Sequence, residues 1–93
     1  MADNRVRYRV RYRGYVQGVG FRMTAVAQSR GLALDGFVRN EADGSVLMDV
    51  EGSGADVKEV MKRIDSAMRE NIDDTIVESM PLRGEKCGFH IAY

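Results

Sequence analysis

A short run rich in glycine, followed directly by an arginine, is the segment best suited to chemistry. Residues 14–20 contain three glycines, and Phe21 and Arg22 come next. Glycines let the backbone approach an anion, and a turn before a helix directs several N–H groups toward one point. Arg22 adds a guanidinium that can bind two oxygens at once. The spacing fits neither the Walker sequence nor Gly-x-Gly-x-x-Gly, so the pattern alone leaves two readings open: anion binding and a tight structural turn.

The other reactive side chains suggest no second site. His90 is the only histidine, and Cys87 is the only cysteine, which excludes an internal disulfide and a multi-cysteine metal site. Asp73 and Asp74 are adjacent, but hard cations need more converging oxygens than two neighbouring carboxylates provide. We expect this pair to lie in a solvated turn, and the sequence predicts no metal site.

Hydrophobic periodicity predicts the elements on either side of the glycine-rich run. Residues 5–13 alternate arginine with an apolar or tyrosine side chain, as in a strand with one buried face. The glycines at 14–20 interrupt that strand. From Phe21 to Arg30 there is neither glycine nor proline, which predicts a helix that stops at Gly31.

A hairpin and a second helix are predicted next. Residues 34–40 and 45–51 are apolar runs that flank an Asp-Gly pair at 43–44, a strong hairpin signal. Ser53 is a predicted N-cap, and the apolar stripe behind it has the three- and four-residue spacing of a helix. We expect this helix to run to about Glu70.

Two last strands, at 75–80 and 88–93, complete the predicted fold. The order β-α-β-β-α-β, with a short extra strand at the end, matches the ferredoxin-like arrangement. The fold class is therefore α+β: a two-layer sandwich in which two helices cover one face of an antiparallel sheet. We expect one domain over residues 1–93.

Charge is balanced overall but divided along the chain. Fourteen Lys and Arg match fourteen Asp and Glu among 93 residues. Residues 1–40 carry eight arginines against Asp3 and Asp35, a net charge of +6, and residues 41–93 carry six basic against twelve acidic residues, a net charge of −6. Either the first half forms a surface that attracts anions, or the two halves neutralise each other across the fold.

No segment predicts a membrane span or a signal peptide. The longest apolar runs, such as residues 46–48, are three residues long, whereas a span needs about 20. No apolar region follows the first five residues. With a single cysteine, these features predict a reduced, cytoplasmic protein with no membrane partner.

The five arginines of the first strand raise the alternative of an RNA-binding module. Ferredoxin-like sheets read single strands by stacking bases on exposed aromatic side chains. Here Tyr8 and Tyr12 share a face with Val6 and Val10, and we expect that face to point into the core. The arginine face is then predicted to be solvated and paired with acidic residues of the second half, with no nucleic-acid partner.

The chain resembles the acylphosphatase family in two long motifs. They are Gly14-x-Val16-Gln17-Gly18-Val19-Gly20-Phe21-Arg22 and Gly36-Phe37-Val38-Arg39-Asn40. Asp43-Gly44, Glu51-Gly52 and Gly88-Phe89-x-Ile91 extend the similarity over nearly the whole chain. The resemblance implies a ferredoxin-like fold and hydrolysis of the carboxyl–phosphate bond of acyl phosphates, with no cofactor.

The resemblance also implies a role for particular residues. Arg22 and Asn40 match the family's catalytic residues, and its phosphate cradle falls on the backbone of Tyr15, Val16, Gln17, Gly18 and Val19. The cradle and Arg22 would neutralise the equatorial oxygens of a loose transition state. Asn40 would hold a water in line for attack. The leaving carboxylate is a weak base, so no general acid is expected.

Three positions depart from the family's common pattern. Phe37 stands where tryptophan is frequent, and Ala33 replaces a usual glycine, so the helix would end at Gly31 instead. Glu41 follows Asn40, and we expect its carboxylate to repel a dianionic substrate modestly.

The expected partners follow from the same resemblance. They are a small-molecule acyl phosphate and, as competing anions, inorganic phosphate or sulfate; the protein is expected to be a monomer. Similar domains begin large carbamoyl-phosphate-handling maturation proteins. Because this chain ends soon after its last strand and lacks zinc-ribbon cysteines, we expect a free-standing enzyme.

Overall fold

Two helices pack on a five-stranded sheet in the computed structural model, which describes residues 4–93. Residues 1–3, on which the expectation about a signal peptide depends, lie outside the described part. Within it, neither helix is long and apolar enough to cross a membrane. The predicted order of elements is confirmed. In chain order they are β1 (Arg5–Gly14), α1 (Phe21–Gln28), β2 (Leu34–Asn40), β3 (Val46–Ser53), α2 (Gly54–Ala67), β4 (Ile72–Ser79) and β5 (Phe89–Ile91).

The strands lie in the order β4-β1-β3-β2-β5. β1 is antiparallel to both β3 and β4, and β2 is antiparallel to β3. β5 is parallel to β2, with Gly36 opposite Phe89 and Val38 opposite Ile91. The fold is ferredoxin-like as predicted, but the sheet is mixed and not wholly antiparallel. The chain leaves β4 at one edge, crosses the sheet and enters β5 at the other edge in the direction of β2.

The core lies between the helices and the inner face of the sheet. β3 runs through the middle, and its Val46, Met48 and Val50 are completely buried. The predicted stripe of α2 packs against this face through fully buried side chains, and each such side chain contributes about 1.5–3 kcal/mol on leaving water. These α2 residues are Val57, Val60 and Ile64.

Local hydrogen bonds set the ends of the helices. The Oγ of Ser53 accepts a bond from the N–H of Asp56 at 3.1 Å, which confirms the predicted N-cap of α2. α1 ends at Gln28, earlier than predicted, because the hydroxyl of Ser29 donates to the carbonyl of Val26 at 2.6 Å and competes with the helical pattern. α2 ends at Ala67, also earlier than predicted.

β4 is longer at its start than the sequence predicts. It pairs with β1 from Gly14 opposite Ile72 to Tyr8 opposite Ser79, with an irregularity next to Gly14. The reason is the length of β1, which offers hydrogen-bonding partners well before residue 75. Asp73 and Asp74 are therefore exposed residues of a strand and not of a turn.

The arginines of β1 face away from the helices, but the outer face is not simply solvated. Arg7 is only 6% exposed, and Asp49 only 2%. The guanidinium of Arg7 donates from Nε and Nη2 to the two carboxylate oxygens of Asp49, at 2.9 and 2.7 Å. Arg9 adds a bond to the same carboxylate at 3.0 Å. The predicted pairing with acidic residues is confirmed, whereas the predicted exposure is wrong for Arg7.

A segment that we call the strap, residues 80–88, crosses this outer face and explains the burial. The carbonyl of Pro81 accepts a bond from Arg7 at 3.0 Å. Glu51 accepts the N–H groups of Arg83 and Gly84, each at 2.8 Å. The arginines are paired and partly covered, and Tyr12 is buried in the core, so it cannot serve on this face as a stacking platform for bases.

The Arg7–Asp49 pair makes the free energy of unfolding depend on pH. Burial raises the pKa of the Asp49 carboxyl, but the hydrogen bonds from Arg7 and Arg9 outweigh burial and hold that pKa below its usual value. A carboxyl group whose pKa is lower in the folded state stabilises the fold at pH values above its pKa in the unfolded state, which is near 4. This stabilisation is lost as the pH falls through the pKa of the folded state. The free energy of unfolding should therefore fall as the pH drops below about 4.

Replacing Asp49 by Asn tests this pair. Asp49→Asn leaves the charge of Arg7 buried without a carboxylate, and should lower the free energy of unfolding by about 3 kcal/mol in urea titrations at neutral pH. The stability of Asp49→Asn should also depend less on pH than that of the parent. The control is Glu59→Gln in the partly exposed Glu59–Arg63 pair, where we expect a change below about 0.5 kcal/mol. Equal losses in both variants would contradict the assignment.

Candidate active site

The carboxyl-terminal ends of β1 and β2 lie at the same end of the sheet, on either side of β3. Both strands are antiparallel to β3, and Val46 pairs with Tyr12 on one side and with Asn40 on the other. The loop after β1, residues 15–20, and the end of β2 are therefore neighbours, separated by the width of one strand. At the usual strand spacing this is about 10 Å between their backbones.

A cleft of about 170 Å³ opens between these two segments. This volume is enough for a small group such as a phosphate. Among residues 4–93, Arg22 is the only charged side chain in the lining, so it favours an anion in the cleft. The lining residues are Val16, Gly18, Gly20, Phe21, Arg22, Met23, Asn40, Ile91 and Tyr93.

Two glycines shape the side of the cleft formed by the loop. Gly18 and Gly20 have φ values of 76° and 77°, in the left-handed region that other residues avoid. Gly20 is the N-cap of α1 and has no side chain to cap the helix. The first helical bond joins the N–H of Thr24 to the carbonyl of Gly20 at 2.9 Å. The N–H groups of the first helical turn therefore precede any helical acceptor and are available to an anion.

Arg22 lies in that first turn of α1 and is partly buried. Its guanidinium carbon is 5.2 Å from the centre of the Tyr93 ring, within the range of a cation–π contact. Within residues 4–93, no carboxylate forms an ion pair with it. The guanidinium of Arg22 therefore contacts an aromatic ring but is not neutralised, which leaves it able to bind an anion.

Asn40 is the last residue of β2 and lines the same cleft. Its backbone is fixed by pairing with Val46. In the part of the chain that the structure describes, no protein group makes a hydrogen bond with its side-chain amide. The amide is thus free to donate and accept one bond each to molecules in the cleft.

Two amide side chains anchor the loop to the rest of the fold. The Nδ2 of Asn71 donates to the carbonyl of Tyr15 at 3.0 Å, which ties the loop to the residue before β4. The Nε2 of Gln17 donates to the carbonyls of Glu41 and Ser45, both at 2.8 Å. Sequence reasoning missed both contacts, because the partners are far apart in the chain and no local pattern links them.

β5 brings the last residues of the chain to the cleft, and the sequence did not predict this role. Because β5 is parallel to β2, Ile91 lies opposite Val38, and the chain continues to Tyr93 beside the end of β2. The only signal was the alternation of residues 88–93, which predicts a strand but not the edge that it joins.

The predicted site residues are only partly brought together. Arg22 and Asn40 line one cleft, and so do Val16 and Gly18. The other three members of the predicted cradle turn their side chains elsewhere, which leaves only their backbones for an anion: Tyr15 is 70% exposed, the side chain of Gln17 points to the hairpin turn, and Val19 packs against the core. Gly20 and the first turn of α1 line the cleft although they were not predicted to belong to the cradle.

Glu41 does not add an unpaired negative charge to the cleft. Its Oε2 accepts a hydrogen bond from Nε of Arg39 at 2.9 Å, and its Oε1 is 3.7 Å from Arg11. The repulsion expected from Glu41 is therefore offset by two arginines. Among residues 4–93, no three His, Cys, Asp or Glu side chains cluster closely enough to hold a metal ion.

Comparison with known proteins gives a family match, similar sequences and similar solved structures. The acylphosphatase family model matches residues 8–91. An acylphosphatase of Paenarthrobacter aurescens (strain TC1) is 44% identical over 77 residues, which are 78% of this chain and 82% of that protein. The crystal structure of an acylphosphatase from Bacillus subtilis has a TM-score of 0.82 at 26% identity and covers 95% of this chain and 99% of its own. HypF from T. kodakarensis has a TM-score of 0.77 at 25% identity, over 95% of this chain but 12% of that longer one.

The addition of a methyl group at Gly20 tests whether the cleft binds an anion. Gly20→Ala introduces strain of about 1–2 kcal/mol at a positive φ and disturbs the N–H groups that begin α1. We expect the affinity for inorganic phosphate, measured by calorimetry, to fall about tenfold, which corresponds to 1.4 kcal/mol.

Gly44→Ala is the matched control. Gly44 also has a positive φ, 92°, and open space around its missing side chain, but it lies in the hairpin turn outside the cleft. Its variant should lose similar stability and keep phosphate affinity. Parallel loss of affinity in the two variants would show that strain alone is responsible.

Proposed function

This chain belongs to the acylphosphatase family, and from that premise we propose how its residues carry out the hydrolysis of acyl phosphates. The family assignment makes the chain an enzyme whose substrate is a small acyl phosphate. The observation that supports our proposal most is that a single small cleft is lined by Arg22, by Asn40 and by the glycine-rich loop.

The loop and Arg22 bind the phosphoryl group. The backbone N–H groups of residues 15–19, extended by those at the start of α1, face the equatorial oxygens, and the helix dipole adds roughly half a positive charge. Arg22 contributes a guanidinium that can bind two of these oxygens. In a loose transition state, negative charge spreads over the same oxygens, so fixed donors at this position stabilise it.

Asn40 positions the attacking water. Its amide can donate one hydrogen bond to the water and accept another, which fixes both the place and the orientation of the nucleophile. The water oxygen forms the new bond to phosphorus as the bond to the acyl oxygen breaks. The protons of the water remain on the phosphate product, and the acyl group leaves as a carboxylate.

The chemistry needs no further catalytic group. A carboxylate is a weak base and leaves without protonation, so a general acid adds little. We propose that the reaction is independent of metal ions and cofactors, and that inorganic phosphate and sulfate compete with the substrate. A monomeric state and a cytoplasmic location stay predictions from the sequence.

Asn40→Ala separates binding from chemistry. The cradle and Arg22 stay in place, so inorganic phosphate should bind with nearly the parent affinity. Turnover of benzoyl phosphate, assayed in EDTA, should fall about 100-fold, the effect of losing one orienting hydrogen bond worth roughly 3 kcal/mol. Asn40→Asp should do similar harm, because a carboxylate repels the phosphate. A role limited to the strand end predicts a lower melting temperature with unchanged turnover, and that result would refute the proposal, as would loss of phosphate binding.

Arg22→Lys tests the guanidinium. Lysine keeps the charge but loses the planar pair of donors. We expect kcat/KM to fall about 10- to 100-fold, because one charge-assisted hydrogen bond of roughly 1.5–3 kcal/mol is lost. The control is Arg39→Lys, since Arg39 pairs with Glu41 and does not line the cleft. Near-normal kinetics of the Arg22 variant would rule out the proposed contact.

A further inference from the structure

The proposed mechanism needs two parts of the chain to stay at a fixed separation. The phosphate is held by the loop after β1 and by α1, whereas the water is held by Asn40 at the end of β2. β3 lies between the two strands, so no backbone hydrogen bond joins β1 to β2. An in-line attack requires the two parts to hold their separation closely, because a displacement of about 1 Å can reduce the rate roughly 100-fold.

The side chain of Gln17 spans this gap. Its Nε2 donates one hydrogen to the carbonyl of Glu41 and the other to the carbonyl of Ser45, both at 2.8 Å. An amide nitrogen has two hydrogens, and both are used. Glu41 directly follows Asn40, so the bridge reaches the backbone next to the residue that is proposed to hold the water.

The turn that receives the bridge is itself rigid. The N–H of Glu41 donates to the carbonyl of Ser45 at 2.9 Å and closes the hairpin. Asp43 holds the turn from within, since its Oδ1 accepts the N–H of Ser45 at 2.9 Å and the hydroxyl of Ser45 at 2.6 Å. Gln17 thus connects the loop to a fixed point and not to a mobile one.

We propose that Gln17 is a positioning residue that sets the separation between the phosphate-binding loop and Asn40. This inference rests on the proposed function. Few side chains can replace it: asparagine is one methylene shorter, glutamate has no donor when ionised, and lysine would add a charge beside the anion. The loop keeps its other anchors without Gln17, namely the bond from Asn71 to Tyr15 and the start of α1, so phosphate binding does not depend on the bridge.

The competing explanation is that Gln17 merely satisfies two carbonyl groups of the turn. In that case its loss costs stability but leaves the kinetics of the folded protein unchanged. The two explanations therefore predict different kcat values for variants of Gln17, whereas both allow a lower melting temperature.

The test compares Gln17→Leu and Gln17→Met with the parent and with Ser53→Ala. Gln17→Leu removes the donors, and Gln17→Met removes them with an unbranched, uncharged side chain of similar length if the leucine variant does not fold. Ser53→Ala removes the N-cap of α2, at the end of β3 away from the cleft, and leaves both the turn and the bridge intact. For each folded variant, kcat with benzoyl phosphate, the inhibition constant of inorganic phosphate and the melting temperature are measured.

We expect kcat of the Gln17 variants to fall about 10- to 100-fold, with the inhibition constant of phosphate close to that of the parent. Ser53→Ala should have a lower melting temperature and nearly the parent kcat. Unchanged kcat in both Gln17 variants, or an equal loss in Ser53→Ala, would overturn the positioning role while the proposed function stands. A parent protein that does not hydrolyse benzoyl phosphate would overturn the proposed function and, with it, this inference.

Discussion

The register of β3 is the constraint on which the rest of the molecule depends. β3 is buried on both faces, and it pairs with β1 on one side and β2 on the other. Because successive side chains of a strand alternate between faces, a slip of one residue would move Val46 and Met48 out of the core and bring Asp49 into it. The same register places Tyr12 and Asn40 on either side of Val46, so the packing of the core also determines which segments border the cleft.

The outer face links the two oppositely charged halves of the chain. Arg7 from the basic half meets Asp49 from the acidic half, and the strap is attached to this pair and to Glu51. The strap leads directly into β5, which brings Ile91 and Tyr93 to the cleft. The buried ion pair on the outer face thus helps to fix the strap, which leads into β5 and the cleft. The charge asymmetry of the sequence therefore contributes to the architecture.

Much of the fold follows from local patterns, and the remainder depends on distant contacts. The alternation of β1, the stripe of α2 and the Asp-Gly turn each have a period or a turn signal that can be recognised within a few residues. The parallel pairing of β5, the burial of Arg7 and the bridge from Gln17 have no such signal, since each joins segments far apart in the chain. For the site, the motif resemblance indicated Arg22 and Asn40, which line one cleft. It did not indicate that Gln17 and Val19 turn away from that cleft, because side-chain direction in a glycine-rich loop has no fixed period.

β1 has no partner close to it in sequence: Tyr12 pairs with Val46 and with Thr75. The β2–β3 hairpin, in contrast, closes through a short turn and is entirely local. Long-range pairings carry a loop-closure cost before they are stabilised, which slows the folding of topologies that depend on them. The cleft requires both kinds of pairing, so it cannot exist in a partly folded chain that contains only the hairpin. The binding of an anion there is therefore coupled to the folding of β1, β3 and the hairpin together, and it stabilises them by an amount that rises with the logarithm of the anion concentration above its dissociation constant.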